Sequence, residues 1–546
     1  MSMTPPDSAA EAYAYPLLIK QLWNAPLVHS PDQEIVYRRD VRLSYRTVRE
    51  RVGRLAQVLQ AAGVAPGDTV AVLDWDSNRY LECYFAVPMM GAVLQTVNVR
   101  LSPEQVLYTL NHAGAKVVLL NSEFLSLYTE IRAQLRSVET LIWISDEALA
   151  PPESLNAMGS YEALLAAAPA EFDFPDFDEN TRATTFYTTG TTGNPKGVFF
   201  THRQIVLHSL AVMAALGSSP QGQGFHRGDV YMPITPMFHV HAWGIPYVAV
   251  MLGVKQVYPG RYQPGHLLEL IAAEGVTFSH CVPTILQMLL GAPGSDAINL
   301  SRWKVVIGGS ALPEGLARQA LRRGIDVFAG YGMSETCPLL SLAQLRPGQD
   351  AQDEDAQIRS RCKAGMPAPL VDLRTVDADL RDVPEDGLTA GEVVVRAPWL
   401  TQGYLGNPAA SAELWAGGYL HTQDVGRLDH GELTITDRIK DVIKTGGEWV
   451  SSLEIENLLS QHAAVVEAAV IGIADKTWGE RPLALVTIRP GQIADADDLK
   501  HHLQGFATQG IISRYAVPEQ ILFVDDIPKT SVGKINKKAL RLQYGD

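Results

Sequence analysis

Residues Phe186-Tyr-Thr-Thr-Gly-Thr-Thr-Gly-Asn-Pro-Lys-Gly197 gather the small and hydroxylated side chains with which a backbone can wrap a polyphosphate. Gly190, Gly193 and Gly197 permit close approach and positive φ. The hydroxyls of Thr188, Thr189, Thr191 and Thr192 can donate to phosphate oxygens or ligate a cation, and Lys196 brings a compact positive charge. The stretch reads as a triphosphate loop. It is not a Walker loop, because Lys196 is followed by Gly197 and not by Ser or Thr. Taken in isolation, a surface turn would have the same composition.

Four further stretches carry chemistry. In Gly330-Tyr-Gly-Met-Ser-Glu-Thr336 the glycines would let a planar ligand reach the ring of Tyr331, and Glu335 offers a hard oxygen to a divalent metal. A buried tyrosine and a helix-start glutamate explain it equally well. Tyr419-Leu-His-Thr-Gln-Asp424 ends in a carboxylate that could accept from both hydroxyls of a ribose, although an aspartate there is also a turn former. Asp437 to Trp449 is rich in charge and glycine. Pro528-Lys-Thr-Ser-Val-Gly-Lys534 repeats the glycine-plus-lysine chemistry of the first loop. Two such loops on different units suggest one site closed from both sides.

The elements that must position these stretches follow from periodicity. Buried runs at Thr69 to Leu73, Lys116 to Leu120, Leu141 to Ile144, Val276 to Phe278 and Lys304 to Ile307 alternate with helical patterns such as Thr47 to Ala62 and Leu267 to Gly275. That alternation predicts an α/β fold with parallel layers. Gly63 and Gly275 stand where helix C-caps are wanted. The polar segment from Gln344 to Lys363 reads as a surface excursion. After Gly391 the texture turns to hairpin strands, Glu392 to Arg396 and Glu432 to Ile435, the second entered through an Asp-His-Gly turn. A boundary falls in Asp437 to Asp441, and the remainder reads as a small α+β unit: a helix over Leu453 to Leu459, strands Val465 to Ile473 and Pro482 to Ile488, a helix from Asp497, and a strand Gln520 to Val524.

A chain of 546 residues exceeds what one core can organise. A net charge of −15, with 46% hydrophobic and 19% charged residues, describes a globular protein that long-range electrostatics would keep away from nucleic acid and anionic membranes. An anionic substrate must therefore meet a local basic patch; Lys529, Lys534, Lys537, Lys538 and Arg541 are one candidate, and a solvated helix face is the alternative for the last three. Cys83, Cys281, Cys337 and Cys362 are too scattered for a disulfide scaffold or zinc site. With no signal peptide and no transmembrane run, a cytoplasmic location is expected.

In this order and at these separations the five stretches resemble the adenylate-forming superfamily of acyl- and aryl-CoA synthetases, firefly luciferases and peptide-synthetase adenylation domains, over nearly the whole chain. Pro236-Met-Phe-His-Val-His-Ala-Trp-Gly244 and Ile443-Lys-Thr-Gly-Gly-Glu-Trp449 look most like the medium- and long-chain fatty acyl-CoA synthetases. The resemblance implies a large N-terminal AMP-binding and acyl-binding domain (residues 1–437) of layered α/β subdomains plus a β-rich subdomain. A hinge (438–441) and a small mobile C-terminal α+β domain (442–546) carrying the catalytic lysine would follow. It implies ATP, Mg²⁺ and coenzyme A, a carboxylic acid converted to an acyl-adenylate and then to a thioester, and leaves room for a homodimer. A ligase for a short, sulfur-containing or aryl acid is the near alternative, and a luciferase-type oxygenase the more distant one.

Residue by residue, Thr188 and Glu335 match the metal positions, and Thr189, Gly190, Thr191, Thr192, Gly193 and Lys196 the phosphate loop. Tyr331 would stack on adenine with Gly330, Gly332 and Ser334 around it; Asp424 matches the ribose carboxylate and Arg438 the basic residue beside it. Lys440 matches the hinge, Lys444 a residue that reaches the nucleotide, and Trp449 the mouth of the acyl tunnel. His239 matches the aromatic beside the reacting carboxylate, with Val240, Trp243, Gly309 and Ser310 around the acyl group, and Lys534 matches the catalytic lysine. Ser310 is expected to shape the pocket and Cys281 to fill the core, neither as a nucleophile; His202, His208 and His280 are expected to be structural. One position departs: the family usually has Thr-Gly-Asp where this chain has Thr422-Gln423-Asp424. A positive φ there would strain glutamine.

Overall fold

A computed structural model describes residues 11–188, 194–219, 222–446 and 448–545. Two large sheets carry the first two-thirds of the chain. One has seven strands in the order Gly159–Ser160, Thr140–Ile144, Ala115–Asn121, Thr69–Leu73, Val93–Thr96, Arg182–Thr188 and Lys196–Thr201. All its pairs are parallel except the last, Arg182–Thr188 with Lys196–Thr201, so a reversal of the chain presents the first loop at the end of a strand. The other has nine strands and a parallel centre running Asp326–Gly332, Lys304–Ile307, Phe278–Cys281, Val230–Pro233, Lys255–Tyr258 and Glu34–Tyr37. Fully buried runs such as Thr69–Leu73 and Lys304–Ile307 explain this, since helices cover both faces of a parallel sheet.

The helix Tyr45–Ala61 begins where the Ser44 side chain accepts from the Thr47 N–H, and the helix Pro264–Glu274 ends at Gly275, whose φ is +69°. Val276 and Thr277 precede the strand predicted there, which begins at Phe278: Thr277 is drawn off by Asp229, whose carboxylate accepts from its hydroxyl at 2.7 Å. The polar segment 344–363 is not only a surface excursion. It contains the helix Glu354–Cys362, capped by Asp353, with Ile358 buried and Arg361 paired to Asp326. Only one buried aliphatic marks that helix, and an ion pair supplies the rest of its anchorage, so apolar periodicity could not reveal it.

An antiparallel sheet follows, built from Asp372–Val376, Gly391–Arg396, Tyr419–Asp429 and Glu432–Arg438, with Trp415–Ala416 at its edge. The hairpin turn has His430 at φ 49° and Gly431 at φ 79°, the left-handed pair such a turn demands. Beyond Arg438 a five-stranded mixed sheet, including Val465–Asp475, Gly479–Ile488 and Gln520–Phe523, packs with the helices Ser452–Ser460 and Ala496–Thr508 around a core of its own. The expected texture of each half is present.

In the strand Tyr419–Asp429, Val425 pairs with Glu392 and His421 with Val394, which leaves extra backbone around Gln423. Gln423 takes up that slack at φ +62°. Its N–H donates to Glu392 Oε1 (3.3 Å) and its carbonyl accepts from the Ile439 N–H (3.0 Å), so the left-handed residue is held from both sides.

Two substitutions test these local readings. Gly53 lies in the helix Tyr45–Ala61, where a Cβ would stand 2.0 Å from the Ala170 carbonyl oxygen. Gly→Ala in an exposed helix gains about 1 kcal/mol; Gly53→Ala should instead lose about 1–3 kcal/mol through overpacking, read as a lower urea midpoint. Gln423→Gly should raise it. Relief of a left-handed cost of about 1–2 kcal/mol outweighs the roughly 0.5–1 kcal/mol of added chain freedom in the unfolded state.

Candidate nucleotide and acyl site

The strand Asp326–Gly332 runs straight into the second motif, so Gly330, Tyr331 and Gly332 are strand residues paired with Leu339–Leu342. The flanking glycines answer to packing. A Cβ on Gly330 would lie 2.9 Å from Val306 Cγ1, and one on Gly332 1.8 Å from the Pro338 carbonyl oxygen. Tyr331 donates its hydroxyl to Asp424 Oδ2 at 2.8 Å, while Arg438 Nε stands 3.3 Å from Asp424 Oδ1. The second, third and fourth motifs thus meet at one carboxylate. Burial raises Asp424 above the usual carboxylate range, against the pull of Arg438, Tyr331 and Lys534. Asp424 and Arg438 face each other across the ladder between their strands.

Glu335 is buried, and Tyr404 donates its hydroxyl to Glu335 Oε1 at 2.7 Å. The same tyrosine ring lies 4.7 Å from Lys196 Nζ, and its strand partner is Val198. Tyr404 therefore ties the base of the first loop to the acidic residue of the second motif. No motif pointed to it; the only signal is its place in an otherwise unremarked loop. Thr188 pairs with Lys196 at the mouth of the first loop. Thr189, Gly190, Thr191, Thr192 and Gly193 lie outside the described residues.

Lys534 arrives from the far end of the chain. Its loop is closed by Thr530, whose N–H donates to the Lys534 carbonyl (2.7 Å) and whose hydroxyl accepts from the Lys534 N–H (3.2 Å), with Gly533 at φ +83°. The large domain grips this loop at several points. Thr284 donates to the Gly533 carbonyl (2.9 Å), Asn98 to Ser531 Oγ (3.0 Å) and Arg100 to the Ser531 carbonyl (3.2 Å), while Val532 joins the core beneath the seven-stranded sheet. The Lys534 side chain then enters a cavity of about 30 Å³ lined also by His239, Val240, Trp243, Gly309, Tyr331 and Ser334. Burial, then the Arg438 guanidinium, push its ammonium down to about 8, and Asp424 and Glu335 oppose them.

The acyl-side motif has unusual backbone. Val240, His241, Ala242 and Trp243 have φ of 47°, 55°, 47° and 59°, and Gly244 has 71°: a whole turn of left-handed conformation. It aims Trp243 at Gly308, where a Cβ would be 2.9 Å from the indole, and at the ring of His280, 5.0 Å away between centroids. His241 is enclosed by the rings of Tyr84, Phe186, Phe200 and Tyr247, and neither ring nitrogen has a partner among the described residues. His239 is held down to about 3, by burial first and then by Lys534 and Arg100, so it faces the cavity as a neutral ring.

Some residues singled out from sequence stand apart. Ser310 is exposed and does not line the cavity, whereas Gly309 beside it does. Lys444 and Trp449 pair on an exposed hairpin, with Trp449 65% exposed. Of the C-terminal cations, Lys529 pairs with Glu467, Lys537 with Glu456 and Arg541 with Asp441, so they make no open basic patch. His202, His208 and His280 each have hydrogen-bond partners, Ile19 N–H, Leu339 N–H and the Tyr231 and Thr235 hydroxyls, and burial lowers all three to about 3. Cys281 is buried in the core. A larger cavity of about 350 Å³, between Tyr37, Arg79, Trp143 and Tyr161, is formed by other residues, and its three arginines are already paired with carboxylates.

Comparison with known proteins accords with this geometry. The long-chain-fatty-acid–CoA ligase of Thermus thermophilus is 42% identical over 511 residues, 92% of this chain and 90% of that protein. The 3-methylmercaptopropionyl-CoA ligase of Ruegeria pomeroyi is 39% identical over 506 residues, 91% of each. The anthranilate CoA ligase AuaEII, solved with anthranoyl-AMP, superposes with a TM-score of 0.85 at 24% identity, covering 97% of this chain and 98% of that one, which is likeness of fold. The AMP-binding enzyme pattern matches residues 24–405 and the AMP-binding enzyme C-terminal domain residues 454–534. Patterns that cover most of its length, and relatives this similar along nine-tenths of it, show that the chain belongs to the AMP-binding enzymes.

Proposed function

We propose that the chain is an AMP-forming acyl-CoA synthetase for a medium- to long-chain fatty acid. The carrying observation is the position of Lys534, which shares one cavity with Tyr331 on the nucleotide side and with His239, Val240 and Trp243 on the acyl side. A carboxylate attacking the α-phosphate of ATP brings anion to anion, and a fixed cation between them offsets both the approach and the charge developing on the phosphoryl oxygens. Asp424 would accept from the ribose, Tyr331 would pack on the base, and Lys196 and the loop before it would hold the outer phosphates.

The residues present suit Mg²⁺. Glu335 and Thr188 offer a carboxylate and a hydroxyl, hard oxygens of the kind that bind this ion together with phosphates, and Tyr404 fixes the orientation of Glu335. When bound, the ion would neutralise phosphate charge. In the second half-reaction the thiol of coenzyme A attacks the acyl-adenylate and AMP departs. Lys534 has no part in that step, so residues 438–441 can turn, with Lys440 as pivot, and bring the Lys444 and Trp449 hairpin inward.

Support for the fatty acid comes from the Thermus relative and the apolar wall of the cavity. One observation favours a second reading, a short sulfur-containing acid: Trp243 closes the acyl side against Gly308, and the Ruegeria ligase is almost as similar.

Chain length separates the two readings. Specificity for CoA thioester formation should rise from butyrate into the medium-chain range, by up to about 0.8 kcal/mol per buried methylene; a profile peaking at the shortest acids supports the second. The role of Lys534 has its own tests. Lys534→Ala should abolish acid-dependent pyrophosphate release yet leave conversion of supplied acyl-adenylate and coenzyme A. Because the active ammonium loses its proton as pH rises through about 8, kcat/KM for adenylation should fall above that pH, well below the ordinary lysine range.

A further inference from the structure

The small domain touches the large one at a second place, away from the cavity. The helix Glu314–Arg322 begins with a backbone N–H that has no partner within its own helix. Asn457, on the helix Ser452–Ser460 of the small domain, accepts it at 2.9 Å and donates its Nδ2 back to Glu314 Oε1 at 3.1 Å. Gln461 donates to Glu314 Oε2 at 3.3 Å, so the backbone N–H and both carboxylate oxygens of Glu314 are engaged by one segment of the other domain. Gly315 N–H lies 3.4 Å from Ser460 Oγ, and a Cβ there would stand 2.0 Å from the Ser460 carbonyl oxygen, so this residue must be small for the two helices to meet. At its other end the same small-domain helix is held by Asp437, whose Oδ2 accepts from the Ser452 N–H (2.6 Å) and hydroxyl (2.7 Å).

We propose that Glu314 is a positioning residue for Lys534: its reciprocal pair with Asn457, joined by Gln461, is the latch that holds the small domain in the pose that seats the lysine. This rests on the reading of Lys534 given above. Neither Glu314 nor Asn457 lines the cavity, so the latch acts only by setting how often the pose is occupied. The latch must open for the second half-reaction, and weakening it should therefore affect the two halves unequally.

The test measures both half-reactions, acid-dependent pyrophosphate release and thioester formation from supplied acyl-adenylate, with Lys534→Ala as control. Glu314→Ala should lower kcat/KM for adenylation about tenfold, equivalent to about 1.4 kcal/mol, with thioester formation unchanged or faster. Asn457→Asp sets carboxylate against carboxylate and should do the same, while Glu314→Gln/Asn457→Asp restores a donor facing an acceptor and should recover most of the adenylation rate. Trypsin cleavage at Arg438 and Lys440 should quicken in the two single variants and slow again in the double, a readout independent of catalysis. Equal loss of both halves in Glu314→Ala, no loss of adenylation, or failure of the double variant to recover would overturn the latch. If Lys534→Ala itself retained adenylation, the reading of Lys534 would fall instead.

Discussion

A single ammonium group carried across a domain boundary organises this molecule. A lysine buried without compensation would surrender its proton, and burial does move Lys534 down, to about 8. Asp424 and Glu335 restrain that shift, yet each is itself tied elsewhere: Asp424 to Tyr331 and Arg438, Glu335 to Tyr404. The anionic residues of the cleft are therefore oriented before any substrate arrives, as electrostatic preorganisation requires. The overall charge of −15 makes this local arrangement necessary, because the surface as a whole does not attract an anionic substrate.

The space beside Lys534, about 30 Å³, has room for only a few water molecules. On the function proposed above, the loop of Lys534 would withdraw to admit a nucleotide and an acid and then return. Its anchors on the large domain are the hydrogen bonds from Asn98, Arg100 and Thr284, of the exchangeable kind, and the one buried side chain of Val532.

Much of this was legible in the sequence. The strands predicted at Thr69 to Leu73 and Lys304 to Ile307 match the observed ends, because a fully buried strand bounded by turns leaves an unambiguous apolar run. The motifs single out Tyr331, Asp424, Arg438 and Lys534, and the four converge. Residues with no pattern of their own are not legible: Tyr404, Asn98, Arg100, Thr284 and Glu314 bond to partners tens to hundreds of residues away, and their types are ordinary. The sequence reads the glycines around Tyr331 as room for a ligand, whereas the space they leave is taken by Val306 and the Pro338 carbonyl. At Gln423 the departure from the family pattern does carry the expected positive φ, and glutamine occupies that left-handed backbone all the same.

The reversed turn from Val240 to Gly244 has a consequence for how such an enzyme can change its diet. Each L-residue in it resists its own conformation, and a β-branched valine resists most. The turn persists because the surrounding rings and the packing of Trp243 over-determine it. A substitution within the turn therefore risks the handedness of the whole segment and not merely the shape of one wall. Variation in acid preference is more accessible through His280 and Val282, which pack with Trp243 from a conventional strand and loop, than through Gly308, where a Cβ would stand 2.9 Å from both the indole and the Gly330 carbonyl oxygen. Divergence among descendants of this chain should be written there, in the backdrop of the pocket, while the turn itself stays fixed.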